Sequence, residues 1–169
     1  MNAESAALSP SLSWPREFLI AVSAALFLAI ASQISIPLQP VPLTFQSVTV
    51  LLIGMGLGAR LGGSAVALYL IAGSLGLPVF ANFQAGLAPF MGPTGGYLIG
   101  FLPAAILSGY LTQEHHKVLG ALLGTAVIFG LGFVYLSHLV GSTQAWSSGV
   151  KPFLVSEPIK LLILCLFVK

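Results

Sequence analysis

Residues 118–139 read VLGALLGTAVIFGLGFVYLSHL, a run of 22 residues without Asp, Glu, Lys or Arg. A helix needs about 20 predominantly apolar residues to cross the hydrocarbon core of a bilayer, so this run reads as a membrane span. Five further apolar runs flank it toward both ends of the chain, at 18–36, 44–58, 61–75, 94–111 and 152–168, separated by Pro, Gly and charge. The whole chain agrees with them. It is 57% hydrophobic and 6% charged over 169 residues, with a mean hydropathy of +1.01. Ten charged residues do not cover the surface of a water-soluble domain of this length, whereas lipid requires no such cover. The expected fold is an all-α bundle of six transmembrane helices, with residues 1–16 as a cytoplasmic N-terminal segment and 17–169 as a single transmembrane domain.

Arg16, the apolar stretch after it and Ala29-Ile30-Ala31 imitate a cleavable leader. The preceding segment is long and carries Glu4, Glu17 follows Arg16, and the apolar stretch continues through Ile36, so 18–36 is read as a retained span. The runs at 44–58 and 61–75 are short. Fifteen residues rise only about 22 Å as α-helix, so these two are expected inside the bundle, tilted, or completed by irregular backbone.

Two stretches are too rich in Pro and Gly for a continuous helix: 37–42 (PLQPVP) and 76–93 (GLPVFANFQAGLAPFMGP). With six spans these lie on one side together with 140–151, and the connections at 59–60 and 113–117 lie on the other with both termini. Arg16, Arg60, Lys117 and Lys169 then share a side that holds every loop cation but Lys151, which makes that side cytoplasmic by the positive-inside rule. The Pro- and Gly-rich loops consequently face outward, where a protein capturing an external solute keeps its mouth.

Small residues recur at four-residue spacing: Gly54, Gly58 and Gly62; Gly92, Gly96 and Gly100; Gly120 and Gly124. Such series let helices approach closely, and the glycines are read as packing within the chain. The alanine series Ala21, Ala25 and Ala29 on the first span is open between lipid, core and a dock for another membrane subunit.

The residues that bear chemistry are few. Ser156-Glu157-Pro158-Ile159-Lys160 places a carboxylate and an ammonium within the last span, where each costs about 2.5–3.5 kcal/mol at a helix centre. Positions three apart share a helix face, so Glu157 and Lys160 address one cavity, and a solute with both donors and acceptors would satisfy both. The plain alternative is an ion pair near the interface with Lys160 snorkelling outward. A second cluster is Asn82, Gln84 and the polar tip of Tyr97, set among Phe80, Phe83 and Phe90, as suits an apolar pocket with a few placed hydrogen bonds; its alternative is a loop whose amides cap backbone groups. Gln39, Thr44 and Gln46 are weaker candidates for the same mouth, Thr44 fitting a helix cap.

Absent motifs exclude whole classes. No P-loop, H-E-x-x-H or G-x-S-x-G is present, and the chain contains no aspartate, so ATP hydrolysis by this chain, zinc proteolysis and aspartyl proteolysis are not expected. His115 and His116 sit in the polar 113–117 loop and read as solvated, His138 as interfacial. With one cysteine, Cys165, there is neither a disulfide framework nor Cys/His metal spacing, and no metal or cofactor is expected. Six scattered basic residues make nucleic acid no partner.

Five blocks carry a resemblance to a known family: IPLQPVPLTFQ at 36–46, GMGLGARLGG at 54–63, GLPVF at 76–80, GPTGGYLIGF at 92–101 and PFLVSEPIK at 152–160. They resemble, in order, the BioY family of biotin-binding S components of energy-coupling-factor importers. The resemblance covers the chain from the first span onward, with little in residues 1–15 or 140–151. It implies a six-helix subunit of the cytoplasmic membrane that binds biotin at its outer face, without enzymatic activity. Its implied partners are a transmembrane coupling subunit, docked on the stripe Ala21, Ala25 and Ala29, and two cytosolic ATPases.

By the same similarity, Asn82, Glu157 and Lys160 fall where BioY proteins place polar ligand contacts. Glu157 would accept from a ureido N–H, Asn82 bond elsewhere on the ureido and Lys160 donate to a ligand oxygen, with Tyr97, Phe80 and Phe83 flanking the bicycle; Gln84 and Gln46 are further ligand-binding candidates. The family usually has Asp at the position of Glu157 and often Gly before it, where Ser156 stands here. That departure keeps the charge but lengthens the arm. An S component for another vitamin is the alternative, and a membrane enzyme a more distant one.

Overall fold

The computed structural model describes residues 13–167, and the elements are almost all helical. Helix α1 spans Trp14–Gln33 and starts with Pro15 in its first turn, where a missing N–H costs nothing. It ends three residues before the expected 36, because Ser35–Ile36 (β1) leaves the helix to pair antiparallel with Leu43–Thr44 (β2). The PLQPVP stretch is thus the loop of a small hairpin, with a cis Gln39–Pro40 peptide bond. Its prolines forbid helix as expected; the strand pairing is a tertiary feature the sequence pattern did not announce.

Helix α2, Gln46–Ser74, is a 29-residue helical run broken at Gly58, whose backbone (φ 82, ψ 169) is not helical. The run doubles back there. Gln46 donates its side-chain amide to the Tyr69 hydroxyl, whereas 23 residues of straight helix would separate the two by roughly 35 Å. The two arms touch closely, since a Cβ on Gly62 would stand 2.8 Å from the Gly54 Cα. The two short apolar runs are therefore the arms of one tight helical hairpin, and φ and ψ of this kind are open essentially to glycine alone.

A 3-10 turn at Ala81–Phe83 and the one-turn helix α3, Ala88–Met91, interrupt the next connection. Then come α4 (Gly95–Gln113, with Pro103 inside) and α5 (Lys117–Val140). The connection after α5 contains the one-turn α6 (Ser142–Ala145) and a π turn at Trp146–Val150. Helix α7 (Phe153–Phe167) carries Pro158. Among the described residues, four helices are long and apolar enough to cross a membrane: α1, α2, α4 and α5.

Helix α4 packs between α2 and α5, and α1 lies against α2. Glycines set these crossings. A Cβ on Gly109 would press on Gly58 and Ala59 backbone, one on Gly54 on Ala105, and one on Gly100 on Ile128. Close backbone approach of this kind is how helices associate where lipid removes the hydrophobic drive between them. Gly54, Gly62, Gly96, Gly100, Gly120 and Gly124 of the series thus serve intramolecular packing, whereas Gly58 makes the bend and Gly92 meets only its own turn. The core holds Leu28, Val50, Leu51, Val66, Ala104, Ala105, Ile128 and Leu136, all nearly inaccessible, while Leu19, Ile30, Ile71 and Val134 are exposed.

The alanine stripe is partly covered within the chain. Ala21 and Ala25 are buried in the core of this chain, and only Ala29 is half-buried. Their small side chains seat α1 against the bundle, and the open face of the helix is made of Phe18, Leu26, Phe27 and Ile30.

The connections sort to two ends of the bundle. Glu17 near the start of α1 meets Arg60 beside the α2 bend at 3.5 Å, and Gly58 abuts the Gln113 side chain at the end of α4. At the other end, Ser35 of β1 donates to Asn82, and Tyr97 donates to the Gly149 carbonyl at 2.7 Å. The three long connections therefore share one end of the bundle.

Candidate ligand-binding site

A cavity of about 610 Å³ opens at that shared end. Residues 37–42 form one wall, Thr44, Gln46 and Ser47 at the head of α2 a second, Phe80, Asn82 and Gln84 a third, and Tyr97, Phe101, Phe129 and Phe153 the floor. This volume falls within the range of ordinary small-molecule pockets, and a mostly apolar lining with a few amides and hydroxyls matches their composition.

Aromatic edges hold the walls in place. Phe80 is 1% exposed and meets both Tyr69 and Phe90 edge-to-face, with ring centroids 5.5 Å apart in each case. It lies so close to Gly73 that a Cβ there would enter its ring. Tyr97 and Phe129 make a third edge contact at 5.8 Å, and Phe129 packs on Phe153 at 5.0 Å. Thr44 Oγ1 accepts the Gln46 backbone N–H at 3.2 Å and the residue lines the cavity, while Phe45 holds the N-cap position of α2.

Glu157 and Lys160 are buried, at 5% and 8% exposure. Lys160 Nζ donates to Glu157 Oε1 at 2.8 Å and to the Thr44 carbonyl at 3.0 Å. Ser47 Oγ donates to the same Glu157 oxygen at 3.2 Å. The other carboxylate oxygen, Oε2, is buried with no partner among the described residues. Lys160 does not snorkel to the interface. It also borders a second, apolar groove of about 250 Å³ with Phe27, Phe45 and Leu52, its ammonium 5.8 Å from the Phe45 ring centre.

The structure thus gathers most of the expected residues at one place, in two layers. Phe80, Asn82, Gln84, Gln46 and Tyr97 line the cavity directly. Glu157 and Lys160 lie one residue behind its wall, joined to it through Ser47 and Thr44, which line the cavity and bond the pair. Phe83 is 70% exposed and is not part of the lining. Ser47 has no signature in the sequence, being one hydroxyl in an apolar run. Gln33, which binds the segment carrying Asn82, likewise has none. His115, His116 and His138 lie outside the site and are exposed. The side chain of Cys165 and all of Lys169 lie outside the described residues.

A profile of the BioY family matches residues 3–169. Curated relatives agree. The chain is 43% identical over 139 residues to the probable biotin transporter BioY of Pyrococcus horikoshii, covering 80% of this chain and 85% of that one. It is 39% identical over 144 residues to the biotin transporter BioY of Thermotoga maritima, with 82% and 85% covered. Among solved structures, the S-component for biotin from an ECF-type ABC transporter superposes with a TM-score of 0.82 over 94% of this chain and 93% of that one, at 24% identity, which establishes a shared fold. Helices able to cross a membrane, a cavity at the loop end and agreement along nearly the whole sequence converge on one assignment: the chain belongs to the BioY family.

Proposed function

We propose that this protein captures biotin and carries it across the cytoplasmic membrane as the substrate-binding S component of an energy-coupling-factor importer. It is a transporter subunit and not an enzyme. The observation that carries the reading is the loop-end cavity of about 610 Å³, apolar in its walls and backed by a buried Glu–Lys pair with one carboxylate oxygen that has no partner among the described residues. Biotin offers a ureido group with two N–H donors and a carbonyl, an apolar bicycle and a carboxylate tail. An acceptor, a donor or cation, and apolar walls are what such a ligand requires.

In this proposal Glu157 accepts from a ureido N–H after its side chain turns past Ser47, Asn82 bonds elsewhere on the ureido, and Lys160 donates to a ligand oxygen. Phe80 and Tyr97 flank the bicycle, with Gln46 and Gln84 beside it in the lining. A buried carboxylate oxygen without a donor carries a desolvation penalty that an incoming N–H relieves.

The membrane arrangement proposed is six helices in residues 17–169, counting the two arms of α2 separately, with residues 1–16 and both termini cytoplasmic. Arg16, Arg60 and Lys117 then lie inside, in keeping with the positive-inside rule. A transmembrane coupling subunit and two cytosolic ATPases are the proposed partners, the coupling subunit meeting α1 along the side of Ala21, Ala25 and Ala29 where Ala29 emerges.

Isothermal titration of the purified protein with biotin, thiamine and riboflavin tests the reading. Saturable heat with biotin alone is expected. Heat with thiamine or riboflavin and none with biotin would transfer the protein to the alternative, an S component for another vitamin.

A further inference from the structure

The side chain of Gln33, the last residue of α1, spans both ends of the turn that presents Asn82. Its Oε1 accepts the Phe83 backbone N–H at 3.0 Å, and its Nε2 donates to the Phe80 carbonyl at 3.0 Å. Neighbouring Ser32, fully buried, donates to the Val79 carbonyl at 2.6 Å, and the same carbonyl accepts from Tyr69 at 3.1 Å. The 79–83 segment is therefore tied to α1 and α2 through its backbone, by side chains that do not themselves line the cavity.

The tie is placed where backbone conformation is hardest to keep. Asn82 and Phe83 are consecutive left-handed residues, with φ of 57° and 56°. Asn visits this region readily, but an aromatic residue keeps it only when its surroundings enforce it. An extended Phe83 would turn the preceding Asn82, which lines the cavity and accepts from Ser35 at 3.3 Å, out of its present place. Only a primary amide of this length supplies a donor and an acceptor on one planar group. Glu lacks the donor, and Met lacks both.

Resting on the biotin reading above, we propose that Gln33 is a positioning residue of the ligand site. It clasps the Phe80–Phe83 turn in its left-handed form and so sets Asn82 in the cavity before the ligand arrives. Rigid presentation of a contact lowers the ordering that binding must otherwise supply.

The experiment pairs biotin titration with amide exchange in the ligand-free, full-length protein, followed by mass spectrometry on the peptide containing residues 79–84. Gln33→Ala is expected to weaken biotin binding by roughly ten- to a hundredfold, the scale of one to two lost hydrogen bonds. Exchange of the 79–84 peptide is expected to accelerate at least tenfold while exchange within α4 and α5 stays unchanged. Gln33→Glu, which keeps the acceptor for Phe83 and loses the donor to Phe80, is expected to fall between parent and Gln33→Ala in both measurements. It decides the matter should the alanine variant not purify. Accelerated exchange with unchanged affinity overturns the proposal, as does lost affinity with unchanged exchange. Parent protein that binds no biotin defeats the vitamin assignment instead, and the exchange result alone then decides whether Gln33 holds the turn.

Discussion

Glu157 and Lys160 form an ion pair of 2.8 Å inside the bundle, one residue behind the wall of the ligand cavity. The pair is a poor source of stability, because removing two charges from water costs about as much as their attraction returns. Breaking it is different. Glu157→Gln keeps an oxygen that can accept from Lys160 but leaves the buried ammonium without its counter-charge, and is expected to lower unfolding stability by on the order of 3 kcal/mol, measured by thermal unfolding in detergent. The double variant Glu157→Leu with Lys160→Met is expected to recover that stability and still fail to bind biotin. A double variant that binds like the parent would remove the pair from the ligand site.

Gly58 carries the bend that folds α2 back on itself, at φ 82 and ψ 169. Side chains other than hydrogen hardly populate this region, and a Cβ here would also strike the Gln113 amide. Gly58→Ala is expected to cost about 1–3 kcal/mol in unfolding stability from the backbone alone. Gly56→Ala, two residues away with open space around its Cβ position, serves as control and is expected to leave the melting temperature nearly unchanged.

Which parts of this arrangement were legible in the sequence follows from what kind of information each requires. Apolar runs announced the helices, and the Gly54–Gly63 block announced a break near Ala59 and Arg60, because glycine and charge are local signals. Glu157 and Lys160 were legible because an intramembrane charge is conspicuous and an i, i+3 spacing fixes a shared face. Their distance behind the cavity wall was not, since the Ser47 and Thr44 layer comes from α2 and β2, more than 100 residues away. The alanine stripe shows the same limit. Spacing gave its face on α1 but not whether the bundle or a partner occupies that face. Gln33 looked like the polar end of an apolar span, and only the returning 79–83 segment gives its amide two uses.

Tyr97 joins the cavity floor to the connection before α7. Its hydroxyl donates to the Gly149 carbonyl at 2.7 Å, and its ring packs beside Phe129 and Phe153. Tyr97→Phe removes one buried hydrogen bond and is expected to lower stability by about 1 kcal/mol while keeping most of the biotin affinity. Tyr97→Leu also removes the aromatic floor and is expected to lower affinity at least tenfold by titration. Equal effects of the two variants on binding would give the ligand role to the hydroxyl instead of the ring.

The loop charges make a directional prediction that labelling in intact cells can decide. Leu77 lies exposed in the connection between α2 and α4, at the cavity end of the bundle, and His116 lies exposed in the turn between α4 and α5. Lys117 and Arg60 belong to the same end as His116, and positive residues in short loops are retained in the cytoplasm. In a Cys165→Ser background, Leu77→Cys is therefore expected to react with a membrane-impermeant maleimide in intact cells, and His116→Cys only after the membrane is opened. The reverse pattern would turn the cavity toward the cytoplasm, and a capture role would become an export role, because a mouth facing inward meets the wrong pool of solute.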